Sequence, residues 1–340
     1  MSLEPLDGFR SVNTHHCVTG SMRHVYAYNR HDVSEDLLLG IGSGMSYGYW
    51  HFKGQLPFLG GRNLTKPSME ELAGQRTGVK VTLHTTSSVR NATRALLEML
   101  ESGQPVMVML DMGFLPYFDF GGAEFHFGAH AVVACGYDAQ SRLVLVADRD
   151  GLHPVLLEML EKARSSKYKP FPPHNQWYTF DFSEKRMPTK PEVFQAIQEQ
   201  TRPMLEPPIR NIGVKGIRKT AEMVPRWKQT MDSQELRSAL FNAYIFVSPV
   251  GGSGGGIFRY MYSRFLRQAA NLTGEPRLEE SANEFQRIAD RWTEVGEWFR
   301  RTSENPDPAS HLSEITSPLE AIADLEQEAW SRLSELAVTA

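Results

Sequence analysis

Gly128-Ala129-His130-Ala131-Val132-Val133-Ala134-Cys135-Gly136-Tyr137, then Asp138-Ala139-Gln140-Ser141, then Leu143-Val144-Leu145-Val146-Ala147-Asp148, read as strand, turn and strand. Both flanking runs are almost wholly apolar, the pattern of strands buried on both faces. Asp138, Gln140 and Ser141 supply turn chemistry between them, so the two strands form an antiparallel hairpin. His130 enters the first strand and Asp148 leaves the second. In a hairpin those two ends are neighbours. Cys135, in the middle of the first strand, reads as a small buried hydrophobe.

Working outward, Pro105-Val106-Met107-Val108-Met109-Leu110-Asp111 is another buried strand. Val79, Val81 and Leu83 alternate as a half-buried strand does. Val89, Leu96, Leu97 and Leu100 mark a helix that stops at Gly103. After Gly151 the texture changes. Val155 to Lys167 reads as helix, Pro170, Pro172 and Pro173 break the chain, and Trp177–Phe182 reads as a last strand. Beyond it the apolar stripes are helical: Leu236 to Tyr244, Phe258 to Ala269 closed at Gly274, Phe285 to Phe299, and a final helix with a capping box at Ser317-Pro318-Leu319-Glu320. The expectation is an α+β domain over residues 1–153 and a mostly helical domain over 154–340.

The second decisive stretch is His15-His16-Cys17-Val18-Thr19-Gly20-Ser21-Met22. Val18, Met22, Val25 and Tyr26 share one face of a helix that would begin at Cys17. Most free cysteines are core residues. A thiol at a helix start differs, because the positive end of the helix dipole favours the thiolate. Cys17, His130 and Asp148 are then the parts of a papain-type acyl-transfer site: nucleophile, general base and the group that orients the base. The Cys17 N–H is one candidate oxyanion donor, and Asn13, four residues upstream, is the other. His126 and His130, with Glu124 and Asp111, also suggest a metal site. That spacing serves one metal from one helix face, whereas this stretch reads as a loop entering a strand, so no metal is expected. His15 and His16 read as a polar lead-in, and His24 and His31 as surface residues. Ser34 is the expected N-cap of a second helix with an acidic first turn. Gly40-Ile41-Gly42-Ser43-Gly44 to Trp50 reads as a tight loop or irregular strand near a site, but lacks the Lys-Ser/Thr ending of a phosphate loop.

The chain has 340 residues, a formal charge of −4, 41% hydrophobic and 22% charged residues. These values fit a two-domain globular protein and give no sign of nucleic-acid or membrane binding. Two cysteines, no visible signal peptide and no span-length apolar run lead to a cytoplasmic expectation.

His16-Cys17, Ser34-Glu35, Gly40-Ile41-Gly42-Ser43-Gly44, His126-Phe127-Gly128-Ala129-His130, Gly136-Tyr137-Asp138 and Asp148 together resemble the N-terminal domain of the butirosin biosynthesis protein H family. Gly251 to Leu266 resembles the helical domain that follows in that family. The resemblance implies a papain-like, C39-peptidase-like first domain, with an N-terminal helix packed on an antiparallel sheet. It implies Cys17 as nucleophile, His130 as base and Asp148 as its partner. It further implies an acyltransferase of antibiotic biosynthesis, moving an acyl or aminoacyl group from an acyl carrier protein to a small-molecule amine.

Glu35 and His126 lie in those motifs. With Gly254, Gly255 and Arg259 they are the candidate substrate-binding residues. Gly251–Gly256 leads into a helix N-terminus, where a phosphopantetheine phosphate or a substrate carboxylate could sit beside Arg259; a hinge or close helix packing is the competing reading. Arg210, Lys215, Arg218, Lys219, Arg226 and Lys228 form a basic run suited to an acidic carrier protein, or simply a solvated face. No cofactor is expected beyond the carrier-bound thioester. The helical domain is a candidate homodimer interface. Two alternatives use the same residues: a papain-like amidase or peptidase with water as acceptor, and a non-catalytic binding protein on the same fold.

Overall fold

The computed structural model describes residues 3–63, 66–122 and 124–339. In chain order the elements begin with α1 (Cys17–Tyr28), α2 (Glu35–Ile41), β1 (Met45–Trp50), β2 (Phe58–Arg62) and α3 (Met69–Arg76). Then come β3 (Lys80–His84), α4 (Val89–Glu101), β4 (Val106–Leu110), β5 (His130–Asp138), β6 (Leu143–Asp148), β7 (Gly151–Leu156), α5 (Leu157–Ser165) and β8 (Trp177–Asp181). The remainder is helical: α6 (Lys190–Leu205), α7 (Gly213–Met223), α8 (Ser233–Val247), α9 (Arg259–Thr273), α10 (Arg277–Glu304) and α11 (Thr316–Thr339). The α+β expectation holds.

The chain divides into two compact units, and not at residue 153. One unit comprises Met1–Leu38 and Thr77–Met187, the other Leu39–Arg76 and Pro188–Ala340. The first owns a six-stranded antiparallel sheet in the order β3-β8-β4-β5-β6-β7. β8 lies between β3 and β4, so this sheet needs the chain out to residue 181. The second owns the β1–β2 hairpin, which packs on α7 and α8 among the later helices. Residues 40–50, expected near the site, thus close α2 and form β1 of the second unit.

Strand alternation builds the first core. Val106, Val108 and Leu110 of β4, Val132 and Ala134 of β5, and Val144 and Val146 of β6 gather with Leu96 and Leu100 of α4 and Leu157 and Leu160 of α5. The intervening side chains, Met107, Ala131, Val133 and Ala147, are equally buried, and α1 lies over these same strands. At Cys135 the register slips: Ala134 faces Val146, but Gly136 faces Leu145. Cys135 is the extra residue of a bulge, fully buried, and burial pushes its thiol up to about 12. It is a core residue, as expected.

Three local expectations need correction. The helix expected from Val155 begins at Leu157, because residues 151–156 form β7 against β6, with Leu152, Pro154 and Leu156 alternating with His153 and Val155 across the sheet. Ser317 does not cap α11: Leu312–Ile315 already form a 3-10 turn that runs into Thr316. His24 and His31 are buried rather than exposed. His24 bonds the Val12 carbonyl through Nε2 at 3.0 Å, and His31 bonds the Thr77 carbonyl at 3.2 Å. Ser34 does cap α2, accepting from the Leu37 N–H at 3.1 Å. No helix among the described residues is long and apolar enough to cross a membrane.

Candidate active site

α1 starts at Cys17 because His16 ends an extended lead-in, with φ −116° and ψ 131°. Its imidazole fills the capping role that Ser or Asp more often takes. Nδ1 accepts from the Thr19 N–H at 3.4 Å and lies 3.1 Å from the Thr19 hydroxyl. The Cys17 N–H belongs to the first turn and has no partner within the helix.

The lead-in is fastened from two sides. The buried Glu35 carboxylate, at the start of α2, accepts the His15 N–H at 3.0 Å and the His16 N–H at 3.3 Å. The Thr14 N–H donates to the Arg149 carbonyl at 2.9 Å, which ties the approach to Cys17 to the residue after Asp148. Thr14 also crosses Gly20 closely: a Cβ there would meet Thr14 Oγ1 at 2.3 Å. Gly20 is therefore required by the close approach of the Thr14 side chain, not tolerated within α1 by default.

On the sheet, β5 begins with His130 and β6 ends with Asp148, and the hairpin brings them together as expected. His130 Nε2–H donates to Asp148 Oδ2 at 2.7 Å. The same oxygen accepts from the Tyr117 hydroxyl at 3.0 Å, and Oδ1 accepts from the Arg149 N–H at 2.7 Å. Burial alone would raise the Asp148 pKa, but the facing imidazole and these donors hold it at about 2. Asp148 is thus a carboxylate at every working pH. Burial likewise works against a charged His130. The Asp148 charge and hydrogen bond outweigh it, with Cys17 adding to them, and push the imidazole up to about 9.

With Nε2 taken by Asp148, Nδ1 is the nitrogen that His130 has left for the thiol, and the two side chains share a hydrogen bond. Cys17 is half-exposed. Burial of its sulfur would raise the pKa, yet it is held well below the ordinary thiol value. The His16 imidazole has the largest lowering effect, followed by hydrogen bonds to His130 and His16. A lowered thiol beside a raised imidazole favours the thiolate–imidazolium form of the pair, and the two groups titrate as a unit. Such a pair can attack a carbonyl and then protonate the leaving group.

Residues 16–149 match the family model described as butirosin biosynthesis protein H, N-terminal. This part of the chain is similar to the N-terminal domain of the butirosin biosynthesis protein H family. The matched segment begins at His16 and ends at Arg149, so it contains Cys17, His130 and Asp148. Residues 158–333 match a second model, described as a domain of unknown function. No curated protein matches the chain.

The other candidate residues divide. Glu35 spends its carboxylate on the backbone of His15 and His16, so it positions the lead-in to Cys17 rather than meeting substrate. His126 is held by Nδ1 on Asp111 Oδ2 at 2.9 Å and stacks on Tyr168. Arg259 is fully buried in the second unit. It donates to both oxygens of Glu326 at 2.9 Å and to the carbonyls of Ser46 and Ile257, so no hand of it is left for a substrate anion. The glycine run beside it follows the packing reading. A Cβ on Gly256, at φ +54°, would lie 2.8 Å from the Ala289 Cβ on α10, and Gly254 and Gly255 share the positive-φ backbone of the same turn. The basic run is partly neutralised, with Arg210 and Arg226 on Glu222 and Arg218 on Asp324. Asn13 lies exposed on the lead-in.

Sequence reasoning missed Tyr117 and the His16 cap, and named Asp111 only as a possible metal ligand rather than as the anchor of a loop. The fully buried Asp111 accepts from the Gly113 and Phe127 N–H groups, both at 3.0 Å, and from Ser166 Oγ at 2.6 Å. Its place at the end of an apolar strand, before a glycine, was the available signal. Tyr117 had none, because it sits in a loop without periodicity.

Proposed function

We propose that the chain is a cysteine-dependent acyltransferase of antibiotic biosynthesis, working on a papain-like first domain. The observation that carries this reading is His130 Nε2 held 2.7 Å from the Asp148 carboxylate, with the Cys17 thiol lowered in part by His130. The family's description supplies the biosynthetic setting. The donor is a thioester on the phosphopantetheine of an acyl carrier protein. The Cys17 thiolate attacks the thioester carbonyl, and the carbonyl oxygen takes the negative charge. The Cys17 N–H at the start of α1 is one candidate donor to that oxygen, and Asn13 is the side-chain candidate for a second. The tetrahedral adduct collapses with loss of the phosphopantetheine thiolate, which takes the proton from His130. The new bond is Cys17 Sγ–acyl, and the bond broken is the donor C–S bond. A small-molecule amine then attacks the acyl carbon, gives its proton to His130, and releases Cys17 as thiolate.

Exchange of one thioester for another is close to isoenergetic, which suits a thiol nucleophile. Intact mass measurement after incubation with acyl-carrier-protein thioesters tests the reading. The wild-type chain gains the mass of the acyl group, Cys17→Ala gains none, and added amine discharges the adduct as amide. Discharge to free acid at the same rate with and without amine would make the chain a hydrolase. Absence of any adduct on a Cys17 that iodoacetamide labels rapidly would end the thioester reading.

A further inference from the structure

The segment between β4 and β5 is a closed loop with a tied neck. The Met112 N–H donates to the Phe127 carbonyl at 3.1 Å, and Asp111 holds both sides through Gly113, His126 and Phe127. Compact surface loops of this kind are frequently functional. This one reaches the catalytic dyad twice. Tyr117 donates to Asp148, and the next residue, Phe118, sets its ring at 85° to the His130 imidazole with centroids 5.6 Å apart. From Phe118 the rings continue outward: Phe120 stacks at 5.9 Å, and Phe125 follows at 4.7 Å from Phe120. Phe118 and Phe120 are half-buried and Phe125 is 41% exposed. A row of partly uncovered aromatic rings thus runs from the general base to the surface. Apolar rings are seldom left uncovered in a row without an occupant.

We propose that this loop is the acyl-recognition element, and that the Phe118–Phe120–Phe125 row receives an apolar acyl chain, aromatic or long alkyl, on the donor thioester. The inference rests on the acyl-enzyme reading above and names the class of group transferred. The occupant is the acyl chain rather than the amine acceptor because the loop's carboxylates are engaged within its own neighbourhood. Asp119 accepts from the Gly121 N–H at 2.8 Å, and Glu124 from Tyr168 at 3.1 Å, with His126 Nε2 lying 3.4 Å from Glu124 Oε1. A protonated amine would need such a carboxylate facing it.

The test is the rate of Cys17 acylation by four N-acetylcysteamine thioesters: phenylacetyl, octanoyl, acetyl and succinyl. Each rate is read by intact mass and divided by the rate with free N-acetylcysteine, which removes intrinsic reactivity. The phenylacetyl and octanoyl rates exceed the acetyl and succinyl rates by about tenfold or more, the discrimination that burial of a few methylenes or a ring supplies. Phe120→Ala and Phe125→Ala each lower the phenylacetyl-to-acetyl ratio several-fold, and Phe120→Leu keeps most of it. Equal normalised rates, a fastest succinyl rate, or a uniform fall across all four thioesters in the alanine variants would overturn the proposal. If the thioesters acylate Cys17 without preference, only this inference falls. If none acylates a reactive Cys17, the acyl-enzyme reading falls with it.

Discussion

Two imidazoles of different character act on the Cys17 thiol, and the proposed reaction depends on both. His130 is raised to about 9 by Asp148, and the thiol is lowered chiefly by His16 and His130. The pH dependence follows from those directions. Below the lowered thiol pKa the nucleophile is protonated and acylation is slow. Above about 9 His130 loses its proton, and the departing thiolate has no acid. Acylation of Cys17 therefore rises from the acid side, stays level through neutrality and falls near pH 9, as rate against pH by mass measurement would show. Asp148→Asn removes the charge that raises His130 and leaves burial, which lowers it. The alkaline limb should move to lower pH, with the neutral-pH rate down by roughly 10²–10⁴-fold. An unmoved alkaline limb would mean that Asp148 does not set His130. At this scale the sequence carried much of the site. The order Cys17, His130, Asp148 was readable because two of the three sit at the ends of one hairpin. The interactions of Tyr117, and the accepting Nδ1 of His16, were not readable, since a loop tyrosine and a capping histidine leave no spacing to detect.

Elements, more than single residues, hold the thiol in place. α1 cannot shift along its axis without breaking the Glu35 contacts to His15 and His16 or the Thr14–Arg149 bond. Glu35→Ala leaves those two N–H groups without their acceptor, at a cost of about 1–3 kcal/mol in stability. Because the loss is at the lead-in, acylation of Cys17 should fall by about tenfold or more, the sensitivity expected for a displaced nucleophile. Glu35→Gln keeps one carbonyl acceptor and should recover part of both. Thermal unfolding and the acylation rate, measured on the same three proteins, check this. A full acylation rate in a destabilised Glu35→Ala protein would show that the clamp serves folding alone. Elements were legible where periodicity was strong: α1, α4, β4, β5, β6 and β8 lie close to where their patterns put them. β7 was misread because six residues carrying a proline and a histidine resemble the approach to a helix as much as an edge strand. β2 carried no signal, since Phe58-Leu59-Gly60-Gly61-Arg62 has two glycines in five residues.

At the scale of the whole molecule the chain leaves the first unit after Leu38, returns at Thr77 and leaves again after Met187. Composition placed the boundary near 153 because helical texture begins soon after it. Composition could not show that Trp177–Asp181 returns to the sheet, or that Leu39–Arg76 belongs with the later helices, since both depend on pairings distant in sequence. The consequence is testable by truncation. β3 bonds only to β8 in the ordered sheet, through all five residues from Lys80 to His84, and β8 also bonds β4 at Met107 and Val108. A chain ending at residue 153 lacks β8, so β3 has no partner and β4 becomes an open edge. It also lacks α5, whose Leu157 and Leu160 belong to the core that Leu96, Val108 and Val132 share. Such a chain should show no cooperative unfolding transition, and its exposed strand edges should drive aggregation. A truncation at residue 187 restores the sheet and that core. It still carries Leu39–Arg76 without α7 and α8, the helices on which its hairpin packs, and should regain a transition while staying less soluble than the full chain. Calorimetry of the two truncations beside the full chain decides it: a normal cooperative transition in the chain ending at 153 would show that β8 is dispensable and that the composition boundary was the physical one.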